Sequence, residues 1–358
     1  MKRSLIFVLV LMLISSVSCF ATGAGFGVRS MGMGGTGIAT ANDITAAYFN
    51  PAGLMYGPEN FELQTFAGGT GGQIQALADA ASDPEYLSKN FDQDLNISAN
   101  MNAGLGISVK KVGVSLLAEA TGSFVHPASS KSSGQIIAEA IAMTPLTLGS
   151  TFSTPGLPIA SMSVGVNLKP IQIFGGGVKI TGVGVGTKTI SAGSGFGFDI
   201  GMQTKITPLL SFGAVIRNLS ASYDVKTKSQ GVTVGTDGTI TDVGAETETK
   251  TSDTLAPEVG IGVGVSMPLT GTLVAVDAEN YSVAGDKSYD DFHVGIEQGV
   301  MGLLVCRAGY FTYGPTEDSY YTYGLGLNLG PASLGVAAAN STKDCINSVS
   351  SAQLGVAF

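Results

Sequence analysis

Three glycines, Gly32, Gly34 and Gly37, spell G-x-G-x-x-G. A backbone loop uses that spacing to cradle a pyrophosphate against a helix N-terminus. The chemistry holds only where the loop follows a buried strand and opens a helix within a βαβ unit. Nothing upstream of Gly32 supplies that strand. Lys2 and Arg3 precede an apolar run, Leu5 to Ile14, and then the small residues of "SSVSCFAT". This is the three-part layout of a secretory signal peptide, and it predicts a signal over 1–21 with cleavage after Ala21. Acylation of Cys19 is the weaker reading, because Ser16 stands where a lipoprotein signal usually has an aliphatic residue. An exported chain that begins just before the glycines has no room for the first strand of a dinucleotide fold.

The remaining candidates for chemistry are sparse. His126 and His293 are the two histidines, and neither has a cysteine or second histidine at metal-ligand spacing. His293 and Glu297 fall on one face of a strand, but no nucleophile stands beside a base and its orienting partner. The expectation is no catalytic residue, no metal and no cofactor. Cys306 and Cys345 could pair in an oxidising compartment, although one reads as mid-strand and the other as loop. A formal net charge of −9 gives no basis for nucleic-acid binding.

The elements that carry these residues follow from a contradiction in composition. Hydrophobic residues make up 44% of the 358 and charged residues only 13%, while glycine contributes 51. Charge is about half, and glycine about twice, the usual share. Past the signal, however, no apolar stretch approaches the ~20 residues of a spanning helix. Only helices and closed barrels satisfy every backbone group inside lipid, so the barrel remains.

Period-two alternation agrees. In "PEVGIGVGVSM", Val259, Ile261, Val263, Val265 and Met267 share one face, against Gly260, Gly262, Gly264 and Ser266. "FGFDIGMQTKI", "YYTYGLGLNLG" and "DFHVGIEQ" divide in the same way, apolar on one side and small or polar on the other. The apolar face is expected to meet lipid and the other to line the interior. The predicted fold class is all-β: a transmembrane antiparallel barrel of about 14 strands. The predicted strands are 61–67, 96–109, 112–125, 159–168, 171–181, 195–206, 209–223, 257–267, 272–281, 289–298, 302–312, 319–329, 332–341 and 349–358. Tight turns are read at Lys110-Lys111, Lys169-Pro170, Thr207-Pro208 and Pro268–Gly271. Long loops are read at 68–95, 126–158, 182–194 and 224–256. They include a short helix over Gln75–Phe91 and a hairpin about Asp237-Gly238. Short turns on one side and long loops on the other are the outer-membrane pattern, and the terminal "SSAQLGVAF" resembles a barrel-assembly signal, apart from Gln353 where a glycine is usual.

With a barrel in view, "GVRSMGMGGTGIATANDITAAYFNPAGL" closely resembles the N-terminal signature of FadL-like outer-membrane proteins, including the PorV-like branch. The match rests on Arg29 with Gly32, Gly34 and Gly35, on the Asn42-Asp43 pair, and on Asn50-Pro51-Ala52. The resemblance implies an N-terminal segment (22–60) folded as a plug inside a barrel (61–358). The glycines would then serve close packing of plug backbone on wall. Asp199, Arg217, Asp277, Glu279, Glu297 and Arg307 fall on predicted interior faces, as a paired network or as a polar wall that holds the plug.

The resemblance implies a passive channel for hydrophobic small molecules such as long-chain fatty acids. The alternative it leaves open is a PorV-like component of a type IX secretion system that binds or shuttles exported proteins. Both place the chain in the bacterial outer membrane. The implied partners are outer-membrane lipid, the barrel-assembly machinery during biogenesis, and a hydrophobic ligand or a secreted protein.

Overall fold

The computed structural model describes residues 25–70, 95–126, 133–153, 161–182, 184–234, 240–283, 287–343 and 349–358. The expected signal, the expected helix over Gln75–Phe91 and Cys345 lie outside these residues, as does the Asp237-Gly238 turn.

Seventeen strand segments form one sheet. In chain order they are β1 (Phe61–Thr70), β2 (Leu95–Val109), β3 (Val112–His126), β4 (Gly134–Met143), β5 (Leu146–Phe152), β6 (Ser161–Gly182), β7 (Val185–Lys205), β8 (Leu210–Arg217) and β9 (Ala221–Val234). There follow β10 (Ile240–Leu255), β11 (Glu258–Met267), β12 (Thr272–Val283), β13 (Lys287–Val300), β14 (Leu304–Tyr313), β15 (Asp318–Leu329), β16 (Ala332–Ser341) and β17 (Val349–Ala357). Every pairing is antiparallel, and β1 pairs with both β2 and β17, which closes the cylinder. Phe61 and Phe358 exchange two backbone hydrogen bonds at the seam (3.3 and 2.9 Å).

Three of the barrel strands are broken, which reconciles seventeen segments with fourteen strands. Both β4 and β5 pair with β6 in one continuous register, interrupted only at Thr144-Pro145. β8 and β9 both pair with β7, but the register slips by two across Asn218–Ser220, where Asn218 has φ 55°. β10 and β11 pair with β9 and β8 and part at Ala256-Pro257. Proline has no N–H to give the ladder, and an extra residue makes a bulge; each break has one of these causes.

The sequence expectation of fourteen is met by a different route. Lys169-Pro170 is not a turn: both residues lie inside β6, where Pro170 O accepts from Thr144 N (3.0 Å) and Pro170 returns no bond. The span 126–158 is not a loop, since β4 and β5 run through it; nor are 182–194 and 224–256, which belong to the β6–β7 and β9–β10 hairpins. The turns at Lys110-Lys111, Thr207-Pro208 and Pro268–Gly271 stand where expected. Lys110 (φ 48°) and Lys111 (φ 69°) both adopt the left-handed geometry that a two-residue hairpin needs.

The faces sort as lipid requires. On β11, Val259, Ile261 and Val263 are 48, 52 and 41% exposed, while the glycines between them are buried. No helix among the described residues is long and apolar enough to span a membrane. Inside the cylinder run residues 25–60, with two short helices (Val28–Gly32 and Ala46–Phe49) and a 3-10 turn (Pro51–Tyr56). Most of this segment is fully buried; Ile38, Ala46, Asn50 and Ala52 have no exposed surface.

Candidate functional site

The inner segment is held by three cross-strand glycine pairs in the wall. Gly165 and Gly201 face each other on β6 and β7; Gly213 and Gly262 on β8 and β11; Gly295 and Gly309 on β13 and β14. A Cβ on Gly201 would lie 2.0 Å from Asn50 Oδ1, and one on Gly165 2.3 Å from the Pro51 carbonyl carbon. On Gly213 it would meet Ile38 O at 2.1 Å, on Gly295 Met33 O at 2.2 Å, and on Gly309 Gly34 N at 2.3 Å. Backbone thus rests directly on backbone at three stations around the barrel. Of the G-x-G-x-x-G set, Gly34 packs on β13 and β14 with φ 68°, Gly32 packs on Gly324 of β15, and Gly37 lies under the Phe49 ring. Gly35 also has positive φ (80°) and turns the chain back, its N–H donating to Ser30 O.

Wall side chains saturate the peptide groups this path exposes. Asp277 Oδ2 accepts from Gly37 N (2.6 Å) and Ile38 N (2.9 Å). His293 Nδ1 lies 2.8 Å from Gly34 O, with the ring stacked on Phe311. Thr322 Oγ1 accepts from Gly34 N (2.9 Å), and Gln203 Nε2 donates to Ala39 O (2.8 Å). Asn50 Nδ2 donates to Ile38 O (2.8 Å) and Met202 O (2.9 Å), while its Oδ1 caps the 3-10 turn at Ala52 N (3.1 Å). Pro51 occupies the first position of that turn, where a missing N–H costs nothing.

Apart from Asp277, the interior charges expected from the sequence fall into two groups. Toward the short-turn end, Arg29 clasps Glu297 through Nε (3.0 Å) and its second terminal nitrogen (3.1 Å), and Arg307 Nε reaches the same carboxylate at 2.7 Å. Arg29 also donates to Asn42 Oδ1 (2.8 Å), so one guanidinium ties the wall to two parts of the inner segment. These residues border a cavity of about 380 Å³ that also touches Asp43, Asn328, Ser333 and Gln353. On the other side of the segment, Lys169 Nζ bonds Asp199 (2.8 Å) and Asn218 (2.7 Å), and Arg217 pairs with Glu258 (3.0 Å) and Glu279 (2.6 Å). Asp199 also accepts from Asn218 N (2.8 Å), and the Asn218 side chain donates to Ala256 O (3.4 Å). The cluster therefore satisfies backbone groups freed at two of the wall breaks, which is why these charges gather there. Sequence reasoning missed Lys169, which it placed in a turn, and Asn218, which it placed inside the strand 209–223.

Beside the segment the interior is apolar. Phe26 and Tyr48 meet edge to face (4.8 Å between ring centres). Phe66, Leu117, Ile141, Met143, Ile171 and Ile173 pack with Phe26 in one buried cluster, with Tyr48 against it. The inward direction of Ile141 and Met143 was hidden in the sequence, since they alternate with alanines on β4. Among the described residues no cluster of three or more His, Cys, Asp or Glu could hold a metal ion. Cys306 is a free, half-buried thiol.

No protein-family model and no curated sequence matches the chain. Solved structures do. The P. putida toluene transporter TodX aligns with a TM-score of 0.63 at 11% identity, covering 94% of this chain and 99% of its own. The Ralstonia pickettii toluene transporter TbuX gives 0.60 at 12%, covering 93% and 97%. A Pseudomonas aeruginosa FadL homologue gives 0.58 at 10%, covering 94% and 98%. Closed, fourteen-stranded and filled by its own N-terminal segment, the chain has the fold of a FadL-like β-barrel.

Proposed function

We propose that the protein is an outer-membrane channel for passive transport of hydrophobic small molecules. The observation that carries this reading is the closed barrel, with an outer face suited to lipid and, inside it, a cluster of apolar side chains packed around the Phe26–Tyr48 pair. A hydrophobic molecule that enters such an apolar interior from water gains about 25 cal/mol for each Å² of apolar surface buried, with no energy source required. The solved structures of like fold, described as toluene transporters and a FadL homologue, support the same class of cargo. The inner segment and this packed cluster lie across the lumen, so passage requires either their rearrangement or a sideways exit through the wall. The test is flux of labelled toluene, alkylaromatics and long-chain fatty acid into liposomes carrying the refolded barrel. A rate equal to that of protein-free liposomes for every compound would remove the reading.

One observation favours a second reading, a docking platform for exported proteins of the PorV kind. β10 is exposed on both faces along nearly its whole length, and it pairs only with β9. Co-purification of secreted proteins that is lost when 226–250 is deleted would support it; retention after the deletion would count against it.

A further inference from the structure

Gly326 of β15 and Gly335 of β16 oppose each other on the inner face of the wall, yet the inner segment does not rest its backbone on them. The nearest atoms to a Cβ there belong to side chains: the Arg307 guanidinium at 2.9 Å over Gly326, and Val28 Cγ1 at 3.1 Å over Gly335. The pair borders the cavity of about 380 Å³ beside Arg29, a volume that suits a small molecule. Asn328 and Ser333, the next inward pair toward the β15–β16 turn, border it too.

Arg307 is the group on this cavity with bonding capacity left over. Its Nε donates to Glu297 (2.7 Å), and its side chain is only 10% exposed. Nη1 and Nη2 lie over Gly326, and among the described residues no acceptor reaches either. A buried carboxyl can take up a proton and become neutral, whereas a guanidinium keeps its charge. Three more donors border the same space. Gln353 holds Val28 N through Oε1 (3.1 Å), which leaves its Nε2. The side-chain amide of Asn328 and the hydroxyl of Ser333 have no hydrogen-bond partner among the described residues. The surplus is in donors, so a ligand that fits must bring acceptors.

We propose that this cavity is a binding site for a small organic carboxylate, held end-on by Nη1 and Nη2 of Arg307. Two parallel N–H donors match the two oxygens of a carboxylate, and that edge of the guanidinium is free while Nε stays on Glu297. Gln353, Asn328 and Ser333 supply donors around the anion, and the buried Val28 and Val305 supply apolar contact for its body. Arg29 and Arg307 stand against Glu297 and Asp43, so the charged groups of the lining balance. Asp43 is already engaged within the inner segment, where it accepts from Thr45 N (2.9 Å) and from the Thr45 hydroxyl. One negative charge spread over two oxygens suits this balance, and a phosphate dianion is repelled by the two acids. The site goes beyond the channel reading and does not depend on it, since it lies at the Arg29 clasp and not in the apolar cluster.

The test uses para-fluorobenzoate and its neutral isostere para-fluorobenzamide. Each is titrated into the folded barrel in non-ionic detergent and followed by fluorine NMR, with empty micelles subtracted. The carboxylate should saturate and bind about tenfold or more tighter than the amide, as expected for charge-assisted hydrogen bonds. Arg307→Gln should lose about that factor, while Glu297 keeps Arg29. Ser333→Leu, which fills the cavity without removing a hydrogen bond of the described fold, should block binding. Folding of each variant is checked by the heat-dependent shift of the barrel on gels. The site is overturned by an absence of saturable carboxylate binding, by equal binding of the amide, or by displacement with an equal concentration of inorganic phosphate. Unchanged binding in folded Arg307→Gln or Ser333→Leu overturns it as well. None of these results bears on the flux of hydrophobic compounds, which tests the channel reading separately.

Discussion

Arg29 and Glu297 are 268 residues apart in the chain and meet through two parallel hydrogen bonds of 3.0 and 3.1 Å. A guanidinium fork on a carboxylate has little freedom, so this contact fixes the angle at which the inner segment lies as well as its position. Arg307 holds the other side of the same carboxylate at 2.7 Å. Arg29→Lys retains the charge and loses the fork. It should raise ion leakage through the reconstituted barrel in planar bilayers and lower its unfolding temperature. Arg29→Ala should do more of both, at a cost of about 2–4 kcal/mol, since Glu297 keeps only one partner.

The glycine pairs of the wall leave no space for a methyl group. Gly213→Ala would drive a Cβ against Ile38 O at 2.1 Å, and both sides of that contact are backbone. Overpacking of this kind costs about 1–3 kcal/mol, and the inner segment should become cleavable by protease in the folded barrel. Gly299→Ala is the control, because its nearest neighbour would be 3.4 Å away. Equal protease resistance in the two variants would mean that the segment does not rest on these glycines.

Asn50 serves four backbone groups with one side chain: Ile38 O, Met202 O and, at 3.5 Å, Ala214 O as donor, and Ala52 N as acceptor. Asn50→Ala removes a cap, worth about 1 kcal/mol, and strands carbonyls with no water to take over. Amide hydrogen exchange should quicken across 36–55 before it changes in β7 or β8. Asn50→Asp should not rescue, since a carboxylate cannot donate to Ile38 O or Met202 O.

The outward valines of β11 report on lipid directly. Val263→Lys, at 41% exposure in mid-strand, should cost about 2–4 kcal/mol when the barrel folds into vesicles. Val259→Lys stands four residues nearer the strand end, where the penalty should fall toward ~1 kcal/mol. Urea titration of folding into vesicles measures both. Penalties of equal, small size would deny that this face meets hydrocarbon.

Strand class and orientation were legible in the sequence wherever the two faces of a strand meet different surroundings. β11 alternates Val and Ile with Gly because one side sees lipid and the other backbone, and composition alone then demands a closed cylinder. The glycine-rich stretch likewise announced a chain that must pack closely, although not where. The pattern fails where the contrast disappears. β4 carries Ile141 and Met143 into a buried apolar cluster and alternates them with alanines, so it does not read as a barrel strand. β10 has both faces exposed and reads as loop, and the part of β9 that pairs with it was read in the same way. Lys169-Pro170 has the chemistry of a turn, and only the pairing of β6 along its whole length with β7 keeps it straight. Which glycine meets which carbonyl, and which acid has a partner, depends on residues brought together from opposite ends of the chain. Period two says which side of the wall a residue occupies; closure of the barrel around its own N-terminal segment decides what it touches there.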